Sequence, residues 1–365
     1  MKVGILTFHH TTNYGAMLQN YALAKTIAAM GFDVEDIDYR PYRAVRYYLK
    51  ENFLPGRPLL SNLIKYWKMS EFRKAHIKLS NSTCYTREGL QRYRRNYDAV
   101  ICGSDQVWCI DSFRRYDPSY FLDFIDQQAT RKISYAASAA WTTTFGQHKQ
   151  KTANLLRHFS AISVRDANTR RLVKEECGLD APCVLDPTFL VNYDELLATN
   201  TIPQKSPYLL IYKMGPMQRD EEKFILELAR SKNLEVLSVG YSHKIATRRN
   251  FIGIGPQEWV NYFANSQYVF TDSYHGTIFS IIFRKPFNVF VDTTKATKTG
   301  DLLLELGLTD RIFGTGATTD QVDYTFAAEK LARQIQLSKA FLSQALADVS
   351  QVAILESGGK INISG

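Results

Sequence analysis

A chain of 365 residues exceeds one ordinary domain and suits two medium α/β halves, and its 45% hydrophobic and 22% charged residues exclude wholesale disorder. Twenty Gly and 11 Pro exclude a collagen-like or low-complexity chain, and no run approaches the roughly 18 apolar residues of a membrane helix. The net charge of +9 is unevenly spread: residues 42–96 carry +10 and nine aromatic residues, and the remainder carries −1.

In chain order, Val3–Phe8 is a short apolar run that predicts a central parallel strand rather than a signal peptide. A polar loop follows, then a helix over Ala16–Met30 with Gly31 at its end, then a strand over Val34–Tyr39, which together make a right-handed βαβ unit. The basic window interrupts with amphipathic helices near 43–52, 59–79 and 87–95. Strands are predicted at Ala99–Cys102, Tyr120–Phe124, Lys132–Ala136, Ala161–Val164 and Cys183–Leu185, with helices at Gln147–His158 and Ala167–Cys177. After the polar stretch Thr199–Pro207 a second series predicts strands at Tyr208–Tyr212, Glu235–Val239, Tyr268–Thr271 and Phe287–Val291. Its helices are Asp220–Lys232, Gln257–Asn265, Thr277–Arg284 and Gly300–Gly307, and a long helix over Ala327–Ile354 precedes a frayed tail. Domain limits follow as 1–195, with the 42–96 insertion, and 205–325; helix 326–355 packs back on the first domain, and 356–365 is a flexible tail.

Two doubly wound halves place the active site in the cleft between them, at the carboxyl ends of the strands. The polar segments there are 9–15, 103–108, 186–188, 212–219, 240–249, 272–277 and 292–299. The first offers His9, His10, Asn13, Tyr14 and Gly15 where a helix start would favour an anion, without the GxGxxG of a dinucleotide site. In the second, Gly103 permits a tight turn, Ser104, Asp105 and Gln106 face the cleft, and Trp108 is placed to stack on a sugar. Arg165 ends a strand and can hold phosphate or carboxylate in two contacts, whereas Asp186-Pro187-Thr188 reads as a turn. Thr271–Thr277 surrounds His275, an acid or base near neutral pH, with Asp272, Ser273 and Thr277, and Gly276 lets a ligand approach. No metal motif, phosphate loop or nucleophile elbow is present, and the seven His make no ligand spacing beyond adjacent His9-His10, so no metal is expected. Five widely spaced Cys without a CxxC pair exclude a disulfide framework and point to the cytoplasm.

Together these segments resemble the polysaccharide pyruvyl transferase family. The stretches that carry the likeness are Gly4–Gly15 with Leu18–Leu23, Tyr97–Trp108, Ile162–Asp166, Leu185–Thr188, Thr271–Thr277 and Asp301–Arg311. The resemblance implies two Rossmann-like domains in a GT-B-like arrangement. It implies transfer of pyruvate from phosphoenolpyruvate, a co-substrate and not a cofactor, to two hydroxyls of a sugar, giving a cyclic ketal. Such sugars belong to capsules, exopolysaccharides and cell-wall polymers and are often lipid-diphosphate-linked. By this likeness His275 sits at the donor phosphate or acts as the acid, Arg165 binds phosphate or carboxylate, and Asp105 is the candidate base. Asn13, Tyr14, Gly15, Ser273, Lys213 and Lys298 join the donor site, and Ser104, Gln106, Trp108, His9 and His10 the acceptor site. Some branches carry Arg where Ser273 stands and begin the late motif with Ser-Arg where Thr297-Lys298 stands, so Lys213 or Arg219 is expected to compensate.

The basic aromatic window also suits an anionic membrane surface, which places the protein at the inner face of a membrane. The rival readings are a GT-B glycosyltransferase using a nucleotide sugar and a nucleic-acid binder; the second lacks any zinc or RRM-type signature.

Overall fold

Continuous apolar runs such as Tyr208–Tyr212 need cover on both faces, which a parallel sheet flanked by helices supplies. The computed structural model describes residues 1–52, 58–198, 202, 206–247, 249–290, 297–314 and 321–357. The first half contains β1 (Lys2–Leu6), α1 (Tyr14–Ala29), β2 (Asp33–Asp36), α2 (Tyr42–Asn52), α3 (Leu59–His76) and the single turn α4 (Arg87–Leu90). It continues with β3 (Ala99–Asp105), β4 (Arg131–Ala137), α5 (Lys149–Leu156), β5 (Ala161–Val164), α6 (Ala167–Cys177) and α7 (Asp194–Leu197). The second half contains β6 (Tyr208–Tyr212), α8 (Arg219–Ser231), β7 (Glu235–Val239), β8 (Asn250–Phe251), α9 (Pro256–Asn265), β9 (Tyr268–Thr271) and α10 (Tyr274–Ile282). Then come β10 (Phe287–Val289), α11 (Thr297–Glu305) and α12 (Thr325–Ser357).

The strands form two five-stranded parallel sheets, ordered β2-β1-β3-β4-β5 and β10-β9-β6-β7-β8. In each sheet the winding reverses once, between β1 and β3 and between β6 and β9. Loops diverge at such a switch point and leave a crevice beyond the strand ends. Val3, Ile5, Ile101 and Ile133 pack one face of the first sheet against Leu342, Ala345 and Leu346 of α12, while Leu6, Val100 and Cys102 pack the other with Trp108 and Phe121. Helix α12 begins on the second half, with Ala327 in its core, and crosses to the first, where the Ser338 hydroxyl accepts from the Leu185 amide.

Several expectations change: the strand expected over Val34–Tyr39 ends at Asp36, and the helix expected near 87–95 is the single turn α4 followed by a 3-10 turn over Gln91–Tyr93. Tyr120–Phe124 is not a strand: Asp117 caps a 3-10 turn over Pro118–Phe121, and Leu122 turns left-handed at φ 52°. The apolar run alone did not separate the two. Cys183–Leu185 makes only an isolated bridge to Val164, since Pro182 has no N–H to extend a ladder. Helix α10 starts at Tyr274, three residues earlier than expected, because the Ser273 side chain caps it through the Gly276 amide. The expected end of β10 at Val291, most of the 199–207 stretch and the 292–299 segment, and the tail 358–365 lie outside the described residues.

Candidate active site

The two switch points face each other, and between them lies a cleft of about 880 Å³ walled by both halves. Helices α1 and α10 both begin at it. Their first-turn amides have no helical partner and carry the positive end of the helix dipole. The starts touch: a Cβ on Gly15 would lie 2.1 Å from Nδ1 of His275. Glycine at 15 is thus required by close approach across the cleft. Thr11, Thr12, Asn13, Ser273, His275 and Lys298 line this end, together with Asp105 and Gln106 from the end of β3. Asp105 holds a left-handed backbone at φ 74°, a conformation costly for most residues and tolerated by Asp, and its Oδ1 accepts from the Gln106 amide.

Below the floor sits a buried charged cluster. Oδ2 of Asp186 accepts from Arg165 Nη1 at 2.8 Å and from the Ser104 hydroxyl at 3.3 Å, and lies 3.4 Å from Nε2 of His275. Oδ1 of Asp186 accepts from the Thr188 amide and hydroxyl. Burial works against this carboxylate. The His275 and Arg165 charges and the Thr188 bond nevertheless hold its pKa well below the usual range. Arg165 Nη2 lies 3.7 Å from Asp105, and the guanidinium covers the Tyr274 ring at 4.8 Å; burial is outweighed by these acidic neighbours, which keep it charged. Lys298, partly buried, also holds its Nζ over the Tyr274 ring, 5.4 Å from the centroid. Burial and then the Arg165 charge bring its ammonium down to about 8.

The sequence-predicted residues divide accordingly. Asp105, Gln106, Asn13, Ser273, His275 and Lys298 line the cleft, and Gly15 packs under His275. Arg165 sits one layer lower, its side chain 1% exposed. Seven others do not line the cleft. Trp108 is 0% exposed, stacks on Phe121 and donates to the Tyr120 carbonyl, so no sugar reaches it. Ser104 is committed to Asp186. His9 pairs with Asp38 at 2.8 Å, and His10 packs edge-on behind Tyr48, held neutral by burial and by the His9 and Arg114 charges. Tyr14 points into the second half, stacks on Trp259 and donates to the Ile254 carbonyl. Lys213 pairs with Glu221 at 3.2 Å, and Arg219 is exposed at the start of α8; neither lines the cleft, so neither compensates for the missing arginine.

Sequence reasoning undervalued Asp186, whose DPT segment also makes a good turn: the residue caps Thr188 and serves the cluster at once. It also missed the contribution of the insertion, which walls the cleft with Tyr47, Tyr48, Asn62 and Lys65; Phe113 and Arg114 join them. The density of aromatic residues in 42–96 was the available signal. Among the described residues no group of three or more His, Cys, Asp or Glu could hold a metal ion, and the cluster of unlike charges is suited to binding and proton transfer at a small anion.

A family model described as polysaccharide pyruvyl transferase matches residues 13–292. No curated protein sequence matches the chain. Among solved structures, the UDP-GlcNAc 2-epimerase from Neisseria meningitidis bound to UDP-GlcNAc superposes with a TM-score of 0.52 at 12% identity, over 95% of this chain and 100% of that one. The UDP-GlcNAc 2-epimerase from Methanocaldococcus jannaschii gives 0.49 at 12% identity, over 92% of each chain. The first likeness bears on fold alone, and with the two facing sheets it makes the arrangement GT-B-like.

Proposed function

We propose that this chain, which belongs to the polysaccharide pyruvyl transferase family, moves pyruvate from phosphoenolpyruvate onto two hydroxyls of one sugar in a polysaccharide precursor carried on a lipid diphosphate. The single observation that carries the reading is the meeting of His275, Asp105 and Lys298 at the paired starts of α1 and α10, over the buried Arg165–Asp186 pair. A donor with a phosphate and a carboxylate needs cations and free N–H groups in one small space, and this is where the fold gathers them. Lys298 and the first-turn amides of α1 and α10 that the Asn13 and Ser273 side chains leave uncapped bind the anion. Lys298 takes over the contact that a more exposed arginine would make. Arg165 acts from below as a positioning residue, through Asp186 and Asp105.

The chemistry balances with the residues available. His275 gives a proton to the enol CH2, which becomes a methyl group and leaves C2 electrophilic. One sugar hydroxyl attacks C2 and loses its proton to Asp105. The C2–O bond to phosphate breaks, the second hydroxyl closes the ring, and its proton leaves with the phosphate group. One hydroxyl proton thus repays His275, directly or through water, and the products are the ketal and inorganic phosphate. Asp186 keeps the imidazole in place throughout.

Thermal shift tests the reading. Phosphoenolpyruvate is expected to raise the melting temperature and a panel of nucleotide sugars to leave it unchanged; the opposite pattern favours a GT-B glycosyltransferase. His275→Ala should abolish transfer while the fold is kept. Active, folded His275→Ala protein removes the site.

A further inference from the structure

Helix α3 has two opposed faces. Asn62 and Lys65 line the cleft and Met69 and Phe72 enter the core, at steps of three and four that keep them on one side. Leu60, Leu63 and Trp67 fall on the other side and stand in solvent, Leu60 at 72% and Trp67 at 60% exposed. Leu59 and Tyr66 flank them, also exposed. Two turns of helix thus present a large apolar stripe that the described residues leave exposed, a feature of interaction sites.

The stripe has basic surroundings. Helix α2, which packs beside α3, exposes Arg43, Arg46, Lys50, Tyr42 and Leu49. Lys74, paired with Glu71, lies about two helical turns beyond Trp67 on α3, and the whole 42–96 window carries +10 while the remainder of the chain carries −1. The position is held firmly: Ile64 and the Ser61 carbonyl abut Gly253 of the second half, and Lys68 pairs with Glu258 of α9. Among the described residues no helix is long and apolar enough to cross a membrane.

We infer that this face of α2 and α3 docks on an anionic lipid bilayer. Leucines and a tryptophan enter the headgroup boundary, and arginines and lysines meet lipid phosphates, the division of labour of an interfacial helix. Charge complementarity selects the bilayer over a second copy of the chain, since two such faces would bring like charges together. The surface deepens the pyruvyl-transfer reading, on which it rests only for its purpose: the opposite side of the same helix walls the cleft, so a sugar on a lipid anchor reaches the site from the membrane plane.

Co-sedimentation of the full chain with phosphatidylcholine vesicles, with and without phosphatidylglycerol, tests it. The protein should pellet with the mixed vesicles, less so at high salt, and stay in solution with phosphatidylcholine alone. Arg43→Glu/Arg46→Glu/Lys50→Glu should lower partition about a hundredfold or more, at roughly fivefold for each charge lost. Leu60→Glu/Trp67→Glu should abolish pelleting, and both variants should keep the wild-type melting temperature and its rise with phosphoenolpyruvate. Failure to pellet, equal pelleting on neutral vesicles, pelleting untouched by both variants, or a dimer in solution that Leu60→Glu/Trp67→Glu dissolves overturns the inference. Pelleting without any response to phosphoenolpyruvate upholds the surface and removes the donor reading instead.

Discussion

Lys298 lines the cleft with an ammonium whose charge changes within a workable pH range, because burial and then the Arg165 guanidinium bring it down to about 8. The cationic form dominates below about 8, so donor affinity should be full there and fall as pH rises through it. An anion bound against Nζ favours the charged form, so binding near pH 8 should take up a proton. The same depression works in reverse on stability. An unfolded lysine titrates at roughly 10.4, so between about 8 and that value the folded chain holds fewer protons and this residue's contribution to stability rises with pH. Lys298→Arg stays charged throughout and should flatten the affinity profile, at some cost in absolute affinity because the guanidinium is larger and planar. Calorimetric titration of phosphoenolpyruvate from pH 7 to pH 9 reads this directly. A wild-type profile flat through pH 8, or one that Lys298→Arg leaves unchanged, would remove Lys298 from the donor.

The segment after β3 shows how an element decides what a residue does. From sequence, Trp108 follows a polar strand end and is placed like a sugar-stacking residue. The chain instead turns at Asp105, the Trp108 amide donates to the Ser138 carbonyl, and the indole goes under the sheet against Phe121, with Nε1 on the Tyr120 carbonyl. Trp108→Phe should therefore cost about 1–3 kcal/mol through the lost volume and the lost indole bond to the Tyr120 carbonyl, which keeps only the weaker Cys102 thiol as donor. The KM values for donor and acceptor should not move. Thermal melts beside steady-state kinetics separate the possibilities, and a raised acceptor KM with an unchanged melt would return the indole to the cleft. The same contrast explains what was legible. Helix α6 was read to the residue because Asp166 caps it and Gly178 ends it in a left-handed turn, both local signals. Strands β6, β7 and β9 were read because an apolar run between polar flanks suffices for a buried parallel strand. Asn13, Asp105 and His275 were found because they follow strands on the side where both sheets end. Tyr14 and Lys213 occupy equally good positions in the chain and are turned away by contacts with Trp259 and Glu221, 245 and 8 residues distant. No spacing rule reports the direction of a side chain relative to a partner that far off.

At the scale of the whole molecule, the two halves do not meet as separate surfaces. One hydrophobic cluster contains Tyr14, Met17, Leu18 and Tyr21 of α1, Met69 and Phe72 of α3, and Phe189 and Tyr193. It also contains Leu210, Trp259, Phe263 and Phe279 of the second sheet and its helices. The core of the second half thus continues into the first. Tyr14 is its centre: the ring stacks on Trp259, meets Tyr212 edge-on, lies under the Lys65 ammonium at 4.4 Å and sits where a side chain on Gly240 would collide with it. Such a shared core binds the halves into one cooperative unit, so calorimetry of the wild-type chain should show a single transition with equal calorimetric and van't Hoff enthalpies. Tyr14→Ala opens a cavity at the junction worth about 3–5 kcal/mol. The loss falls on the coupling between halves more than on either sheet, so the single transition should split into two. Because the proposed donor touches α1 and α10 together, it adds coupling of its own. At a hundred times its dissociation constant phosphoenolpyruvate supplies about 2.7 kcal/mol, enough to draw the two transitions of the variant back toward each other. A variant that still melts as one unit shows the halves coupled elsewhere, through α12 or the Lys68–Glu258 pair. Two transitions that phosphoenolpyruvate moves only one at a time show that the donor binds one half and not the cleft between them.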